Sequence, residues 1–262
     1  LESIEEEEED DIVIVGGGFG GLNAALSLSS MMDEERRQDG TEDLKKRKII
    51  LMDEKERFVF LPLLYELCIG DASVDEVAPT FASLLSSTPN IEFVQARISG
   101  VDNVDNCIYY TSPSSSSTEE KKKKYSAMIV ATGSELQLDA IPGATQYALP
   151  FYTVEQCFEL KRRFQRLEQL QLQRPLQVVI VGGGYSGVEL ALNTIQRFEN
   201  TNTKVKVTLI HRGKHILQNA TPYNSQQGID KLQEYGVQTL TQTSVLQILP
   251  PTTTNDDSAS HH

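Results

Sequence analysis

Two stretches of the chain share one pattern of apolar and polar positions. Each begins with a short run of β-branched residues, passes through a glycine-rich turn and enters a segment with apolar residues at helical spacing. The β-branched runs, 12–15 and 178–181, are typical of buried parallel strands, which are covered on both faces. A second apolar run follows in each stretch, at 48–52 and 205–210. The pattern therefore predicts strand, turn, helix and strand, twice over.

The rest of the pattern places these two units in one α/β chain. Pro142 and Pro150 mark a linker before the second unit. We predict two Rossmann-like domains, with an acidic disordered tail at 1–11, a first domain at 12–147 and a second at 148–262. The further predicted elements are a surface insertion at 31–47, a helix at 78–85, a strand at 91–97, a hairpin tip at 111–124, a strand at 125–130 and a helix at 154–170. Within the hairpin tip, the Lys121–Lys124 run is either an anion site or a solvated loop.

Composition and charge exclude several classes of protein. No run of about 18 apolar residues occurs among the 262, which excludes a membrane-spanning helix. The net charge of −13 excludes a basic nucleic-acid-binding surface. Cys68, Cys107 and Cys157 form no C-x-x-C pair, so the sequence contains neither a disulfide scaffold nor a sequence-local redox dithiol. We predict no metal site.

Both turns match the G-x-G-x-x-G pattern in the required place, between a strand and a helix. In a dinucleotide site the first glycine permits the tight turn, the second lets the backbone approach the pyrophosphate, and the third lets the helix pack on the strand. The pyrophosphate then lies at the N-terminus of the helix. The two turns consist of Gly16, Gly17, Gly18, Phe19, Gly20 and Gly21, and of Gly182, Gly183, Gly184, Tyr185, Ser186 and Gly187.

The residues that end the second strand of each unit differ in charge. Asp53 follows the first of these strands and is suited to accept hydrogen bonds from ribose hydroxyls. His211 and Arg212 follow the second, where no acid is present. Arg212 is suited to pair with a 2′-phosphate, so we predict that the second site accepts NADPH at least as well as NADH. The alternative is that Arg212 is an ordinary surface residue.

Two dinucleotide sites without a reactive dithiol indicate a flavin relay, in which a pyridine nucleotide delivers hydride to FAD and the flavin passes electrons to a small acceptor. The predicted cofactors are therefore FAD and NAD(P)H.

Five segments together resemble the type II NAD(P)H:quinone oxidoreductases, and in particular their chloroplast and cyanobacterial branch. These segments are IVIVGGGFGGLNAALSL, ERFVFLPLLYELCIGDASVDEVAP, MIVATGSE, PFYTVEQCFELKRRF and VVIVGGGYSGVELA. The resemblance implies the fold of the disulfide-reductase-like FAD/NAD(P)-binding superfamily, with the FAD-binding domain at 12–147 and the NAD(P)H-binding domain at 148–262. It also implies electron transfer from NAD(P)H through FAD to plastoquinone or a phylloquinone-type naphthoquinone.

The same resemblance implies roles for individual residues. FAD is expected on the first turn and Asp53, with backbone contacts near Arg97. The crossover near the flavin is expected at Ala131, Thr132 and Gly133. NAD(P)H is expected on the second turn.

Two further sites follow from the resemblance, each with a structural alternative. Glu189 matches an acid near the flavin and nicotinamide, where it orders the nicotinamide or relays a proton; alternatively it is an acid favoured by the helix dipole. The segment of Pro62, Leu63, Leu64 and Tyr65 matches the quinone entry, but its apolar side chains also suit an ordinary core.

Family members are longer than this chain. Their later Gly-Asp flavin-binding segment and membrane-docking helices are absent before His262, so the closing half of the FAD domain is expected to be missing. A fragment, an incomplete gene product and a degenerate form remain open. The acidic start and absent initial Met fit a cleaved targeting peptide, and we expect a plastid, or alternatively a mitochondrial, location.

The expected partners are a quinone and a membrane surface, the latter contacted through the missing region, and a homodimer is a further hypothesis. Two rival functions remain. One is a flavin reductase like apoptosis-inducing factor or ferredoxin reductase, and the other is a non-catalytic nucleotide-binding fragment.

Overall fold

The computed structural model describes residues 11–39, 47–113, 119–170 and 174–250. The chain divides into two compact units. Unit 1 consists of Leu1–Phe60 with Val74–Glu135, and unit 2 of Leu61–Ser73 with Leu136–His262. Compared with the predicted ranges, the boundary lies earlier, and a short internal segment joins the second unit. The assignment of FAD to one unit and NAD(P)H to the other stays a prediction.

The elements are numbered along the chain. The strands are β1 (Ile12–Val15), β2 (Ile49–Asp53), β3 (Ile91–Gln95), β4 (Arg97–Asp102), β5 (Cys107–Thr111), β6 (Lys121–Lys124), β7 (Ala127–Val130), β8 (Leu176–Val181), β9 (Val205–Ile210) and β10 (Gln238–Leu240). The α-helices are α1 (Phe19–Asp39), α2 (Leu64–Ile69), α3 (Val74–Val77), α4 (Phe81–Leu84), α5 (Ala144–Tyr147), α6 (Val154–Gln169), α7 (Tyr185–Glu199) and α8 (Pro222–Glu234). In the described part of the chain, 3-10 turns lie at Leu61–Leu63 and Leu138–Ala140.

The centre of unit 1 is a parallel sheet in the order β3-β2-β1-β7. Alternate residues of β1 enter two different cores, because successive side chains point to opposite faces of a sheet. Ile14 packs with helix α1 and with Phe81, whereas Val13 packs with Ile108 and Tyr125. Burial on both faces explains why β1 is an unbroken apolar run.

The second sheet of unit 1 is antiparallel, in the order β4-β5-β6, and includes the lysine run. Lys121–Lys124 is therefore a strand, because its backbone pairs with β5. The Lys123 ammonium forms an ion pair with Asp11 (2.8 Å), whose side chain is 1% exposed. Asp11 also accepts a hydrogen bond from the Lys48 amide (3.0 Å), so it is fixed on the sheet and not part of a tail. Residues 1–10 lie outside the described residues, as do 114–118 of the predicted hairpin tip.

Unit 2 repeats the strand–turn–helix arrangement on a parallel sheet in the order β10-β9-β8. Its core joins β8 and β9 to helices α7 and α8 through Ile180, Val188, Leu209 and Leu232. Helix α6 is preceded by its N-cap, Thr153, which forms a capping box with Gln156. Helix α2 packs against α6 and α7. Within the described part of the chain, no helix combines the length and apolar character needed to cross a bilayer.

Candidate functional site

The first glycine turn joins β1 to α1 and is fixed by backbone hydrogen bonds. The Gly16 amide donates to the Met52 carbonyl (2.8 Å), and the Ala131 amide donates to the Val15 carbonyl (2.7 Å). Gly16 has a φ of +100°, a backbone conformation that residues other than glycine rarely adopt. The turn therefore lies at the carboxyl end of the sheet, where ligands of open α/β sheets bind.

The glycines of this turn have different surroundings. A Cβ at Gly21 would meet the Gly16 carbonyl oxygen, and a Cβ at Gly17 would meet the ring of Phe81. At Gly18, by contrast, no heavy atom of the described residues lies within 4 Å of a Cβ position. Gly17 and Gly21 are thus required by the packing of the protein itself. The space beside Gly18 is open, just before the first residue of α1.

Asp53, the last residue of β2, is hydrogen-bonded to this turn. Its Oδ2 accepts a hydrogen bond from the Gly17 amide (2.6 Å), and its Oδ1 accepts one from the Lys55 amide (2.8 Å). Each carboxylate oxygen retains lone-pair capacity for a further donor, such as a ribose hydroxyl. The structure therefore brings Asp53 to the first turn.

The other first-unit candidates occupy more open positions. Phe19 is 43% exposed and contacts the rings of Phe58 and Phe60, with centroids 5.1 and 5.4 Å away. Gly20, in the first turn of α1, has ordinary van der Waals space toward Ala131. Thr132 and Gly133 follow β7 as exposed coil, adjoining Ala131, whose carbonyl lies beside Gly16. Arg97 begins β4 and is exposed, and its guanidinium forms an ion pair with Glu54 (3.6 Å).

The second glycine turn repeats these features between β8 and α7. Gly182 has a φ of +125°, and a Cβ at Gly187 would meet the Gly182 carbonyl oxygen. Gly184, the N-cap of α7, again has no described heavy atom within 4 Å of a Cβ position. Tyr185 and Ser186 are exposed in the first turn of the helix. Helix α7 thus presents free N–H groups beside open space, as an anion site requires.

His211 occupies in unit 2 the place that Asp53 occupies in unit 1. Its Nδ1 accepts a hydrogen bond from the Gly183 amide (3.2 Å), just as the Asp53 carboxylate accepts one from Gly17. The buried Nε2 has no hydrogen-bond partner among the described residues. Arg212, the next residue, is exposed. In unit 2 an imidazole nitrogen therefore accepts the hydrogen bond that a carboxylate accepts in unit 1.

The predicted quinone segment lies in unit 2 on a 3-10 turn and the start of α2. Pro62 is exposed, Leu63 and Tyr65 are half-buried, and Leu64 is buried in the packing of α2. The segment thus combines the two expected features. Pro62 is accessible, as a quinone entry requires, and Leu64 belongs to the core.

Glu189, in the second turn of α7, lies in the electrostatic range of two side chains on α2. Burial, followed by the charge of Glu66, raises the pKa of Glu189. The Tyr65 hydroxyl donates to Glu66 Oε1 (3.2 Å). Burial, followed by this hydrogen bond and the charges of Glu66 and Glu189, raises the pKa of Tyr65. Glu189 therefore keeps its proton to a higher pH than an exposed glutamate does, in a group that also contains Glu66 and the Tyr65 phenol.

Sequence reasoning did not identify Glu66 as a member of this group. The sequence contains one indirect indication: Glu66 is the one charged residue in the apolar run FLPLLYEL, where a charged side chain needs a specific environment. The contact of the two helices was not available from spacing, since α2 and α7 are far apart along the chain.

Comparison with known proteins agrees with the geometry. The sequence profile of the pyridine nucleotide-disulphide oxidoreductase family matches residues 10–259. Demethylphylloquinone reductase NdbB of Synechocystis sp. is 33% identical over 201 residues, 77% of this chain and 48% of that protein. Alternative NAD(P)H-ubiquinone oxidoreductase C1, chloroplastic/mitochondrial, of Arabidopsis thaliana is 34% identical over 74% of this chain and 38% of that protein. The chain thus spans half or less of the length of these relatives.

Solved structures show the same fold. NDH2 from Plasmodium falciparum in complex with NADH superposes with a TM-score of 0.75 at 22% identity, over 92% of this chain and 49% of that one. The sulfide:quinone oxidoreductase from Aquifex aeolicus gives 0.73 at 22% identity, over 92% of this chain and 53% of that one.

The predictions of fold class and of an oxidoreductase family are confirmed, as is the predicted resemblance to NAD(P)H:quinone oxidoreductases. The predicted cofactors, FAD and NAD(P)H, are confirmed at the level of the family, whereas the residues that bind each of them stay predictions. With a match over nearly its whole length and two glycine turns of matching geometry, the chain belongs to the pyridine nucleotide-disulphide oxidoreductase family.

Proposed function

We propose that this chain is the nucleotide-binding part of an FAD-dependent NAD(P)H:quinone oxidoreductase, with FAD on the first glycine turn and NAD(P)H on the second. The observation that carries the proposal is the open space beside Gly18 and Gly184, each just before a long helix, while protein atoms crowd the positions before and after them, Gly17 and Gly21 in the first turn and Gly183 and Gly187 in the second. FAD, when bound, supplies the acceptor of the hydride and the donor of two electrons.

The first turn would bind its ligand through the backbone. The N–H groups at the start of α1 and the helix dipole favour the negative diphosphate, and Gly18 allows it to approach. Asp53 accepts the hydrogen bond of the Gly17 amide and would offer its remaining lone pairs to the ribose.

The second turn would bind the pyridine nucleotide in the same way, with a different preference at the ribose. His211 stands where an acid would repel a 2′-phosphate, and the exposed Arg212 follows it. Both features favour NADPH, since Arg pairs with phosphate in a bidentate manner. We expect Arg212→Ala to raise the Kd for NADPH and leave that for NADH unchanged, with Lys206→Ala on β9 as a control for the loss of an exposed cation. A selective preference of the unmodified protein for NADH would contradict this assignment.

Glu189 and its α2 neighbours would supply protons to the reduced acceptor. Because burial and Glu66 raise its pKa, Glu189 holds a proton closer to neutral pH than an exposed carboxyl does. The apolar residues Pro62 and Leu63 beside Tyr65 suit a lipophilic ring, and the relatives support a quinone as that acceptor. Glu189→Gln is expected to lower the turnover number with quinone, with Glu199→Gln at the end of α7 as the control. An unchanged turnover number would exclude the proton relay.

The quinone class and the location form a finer part of the proposal. The relatives are cyanobacterial or chloroplastic/mitochondrial enzymes, which supports plastoquinone or a phylloquinone-type naphthoquinone in a plastid, with a mitochondrion as the alternative. A lipophilic quinone would bring the protein to the surface of its membrane, and a homodimer is part of the same proposal. Turnover with soluble analogues of the two quinone types, using a product that includes the remaining length of the relatives, would distinguish the acceptors.

The first experiment is to measure the binding of both nucleotides by the purified chain and by two matched variants. Gly18→Ala is expected to weaken FAD alone, and Gly184→Ala to weaken NADPH alone. A methyl in the space of a diphosphate costs about 1–3 kcal/mol, which is about 5- to 150-fold in Kd. Gly100→Ala, on β4 with ordinary space, is the control. Absence of FAD from the unmodified folded chain, or identical binding by all variants, would overturn the assignment.

A further inference from the structure

Unit 2 contains two cysteine thiols that its fold brings together. Cys68 lies on α2 and Cys157 on α6, and both are fully buried in the packing of these helices. The Cys157 thiol donates a hydrogen bond to the carbonyl oxygen of Leu64 (Sγ···O 3.4 Å). Leu64 is one helical turn before Cys68, so the Cys157 sulfur lies next to the position that Cys68 occupies.

Helix geometry brings the two sulfurs close together. Side chains of an α-helix are directed toward its N-terminus and cover the preceding turn, so the Cys68 thiol lies over the turn that contains the Leu64 carbonyl. The two thiols are accordingly close enough for each to shift the pKa of the other. No sequence spacing reveals this pair, because its members come from two helices far apart along the chain.

Two cations surround the Cys68 end of α2. Lys161, one turn after Cys157 on α6, donates to the Leu67 carbonyl (3.3 Å). Arg197 of α7 donates to the carbonyls of Cys68 and Ile69 (3.4 and 3.5 Å) and is paired with Glu168 (2.6 Å). Among the described residues, the Arg197 and Lys161 cations are the groups whose charge acts on the Cys68 thiol.

The two thiols differ in acidity. The adjacent Cys157 thiol, followed by the charges of Arg197 and Lys161, lowers the pKa of Cys68 against the effect of burial. The adjacent Cys68 thiol, followed by burial, raises the pKa of Cys157. Cys68 is therefore the more acidic thiol of the pair and Cys157 the less acidic one, and the thiol with the lower pKa is the better nucleophile in a dithiol.

We propose that Cys68 and Cys157 form a redox-active dithiol that peroxide converts into a disulfide between α2 and α6. The Cys68 thiolate attacks one oxygen of hydrogen peroxide, the O–O bond breaks, and the leaving hydroxide takes a proton to become water. The Cys157 sulfur then attacks the Cys68 sulfur; an S–S bond forms, the S–O bond breaks, and a second water leaves. Two thiols are oxidised by two electrons, and one peroxide is reduced to two waters.

Access to the pair depends on α2. This helix has six residues and ends at Gly70, whose φ is +100°. A helix of this length has little stability of its own and relies on packing, so local opening of α2 exposes Cys68 at a cost below that of global unfolding. The inference does not depend on the proposed function, since it requires neither nucleotide nor quinone.

The test is peptide mapping of the purified chain after treatment with hydrogen peroxide. The reaction is quenched by alkylation in denaturant, and the digest is analysed by mass spectrometry with and without dithiothreitol. We expect a linked peptide pair containing Cys68 and Cys157, reversed by dithiothreitol, and a fall from three free thiols to one. Cys107 serves as an internal control, because it lies in unit 1 and its thiol donates to the Asp105 carbonyl (3.1 Å).

Two variants extend the test. Cys107→Ser is expected to keep the cross-link, whereas in Cys157→Ser, Cys68 is expected to proceed to the sulfinic acid because no resolving thiol is present. Independent alkylation of Cys68 and Cys157 at peroxide concentrations that oxidise Cys107 would overturn the proposal. The same holds if Cys68 forms its disulfide with Cys107 instead. Since the unmodified chain and Cys107→Ser suffice for these outcomes, the test does not depend on the folding of Cys157→Ser.

Discussion

The packing of Phe81 beneath the first glycine turn permits a quantitative test of what fixes that turn. Gly17→Ala would place a methyl against three ring atoms of Phe81, namely Cζ, Cε1 and Cε2. Leucine lacks all three atoms, so Phe81→Leu removes the contact. Phe81 is fully buried and stacks on Phe93, with centroids 4.5 Å apart. The ring therefore has little freedom to yield to an added methyl.

The expected energies follow from these contacts. Gly17→Ala alone overpacks the core and costs about 1–3 kcal/mol. Phe81→Leu alone costs about 1–2 kcal/mol, less than the ~3–5 of Phe→Ala, since part of the volume is retained. In the double variant the methyl occupies space that the ring has left. We therefore expect the double variant to lose less unfolding free energy than the two single variants together, by at least about 1 kcal/mol.

The assay is a double-mutant cycle in urea, followed by hydrogen exchange of peptides from 12–53. A local probe is required because the two units of the chain can unfold in separate steps. Gly18→Ala combined with Phe81→Leu is the matched control and is expected to be additive, since the space at Gly18 is open. Additivity in the Gly17 cycle, within about 0.5 kcal/mol, would refute the reasoning.

Three other predictions concern charged groups. Asp53→Ala removes the acceptor of an amide in the first turn and should cost about 1–3 kcal/mol in urea unfolding, with Asp53→Asn, which keeps an acceptor, costing less. Lys123→Met leaves the buried carboxylate of Asp11 without its cation and should cost about 3–5 kcal/mol; a melting temperature equal to that of the unmodified chain would contradict this. Because burial and Glu66 raise the pKa of Glu189, the folded state holds its proton above 4.5, the ordinary glutamate value, and stability from this group falls as pH rises past 4.5. In unfolding at a series of pH values, Glu189→Gln should lack this fall, so that its stability relative to the unmodified chain rises with pH.

The sequence predicted the parallel strands and glycine turns well because both are governed by local rules. The unbroken apolar run of β1 reflects burial on both faces, and the glycine spacing reflects contacts within a few residues. The length of α1 was missed. Residues 31–39 are helical, although 31–47 was predicted to be an insertion; Met32 is buried in the core, but the polar residues 33–38 are partly or fully exposed and give no apolar periodicity, while Glu, Arg and Met still favour helix.

The long-range contacts of the site were beyond sequence reasoning for a physical reason. Spacing reports on neighbours along one helix or strand, whereas His211 meets Gly183, and Cys68 meets Cys157, only after the sheet and helices are assembled. The lysine run shows the same limit. Four adjacent lysines indicate a solvated segment, but the backbone pairing with β5 and one buried partner, Asp11, place them in a strand.

The crowding around Gly16, Gly17 and Gly21 has a bearing on how such sequences evolve. Ala131, Phe81 and a backbone carbonyl of the turn itself enclose these three positions, so replacing them harms the fold whether or not a nucleotide is ever bound. A descendant that had lost its cofactor would still be held to these three glycines by selection for folding. Gly18 alone of these four would be free to drift to alanine or serine. The side chain at that one position, more than the presence of the glycine signature, would then separate working paralogues from relics in a genome.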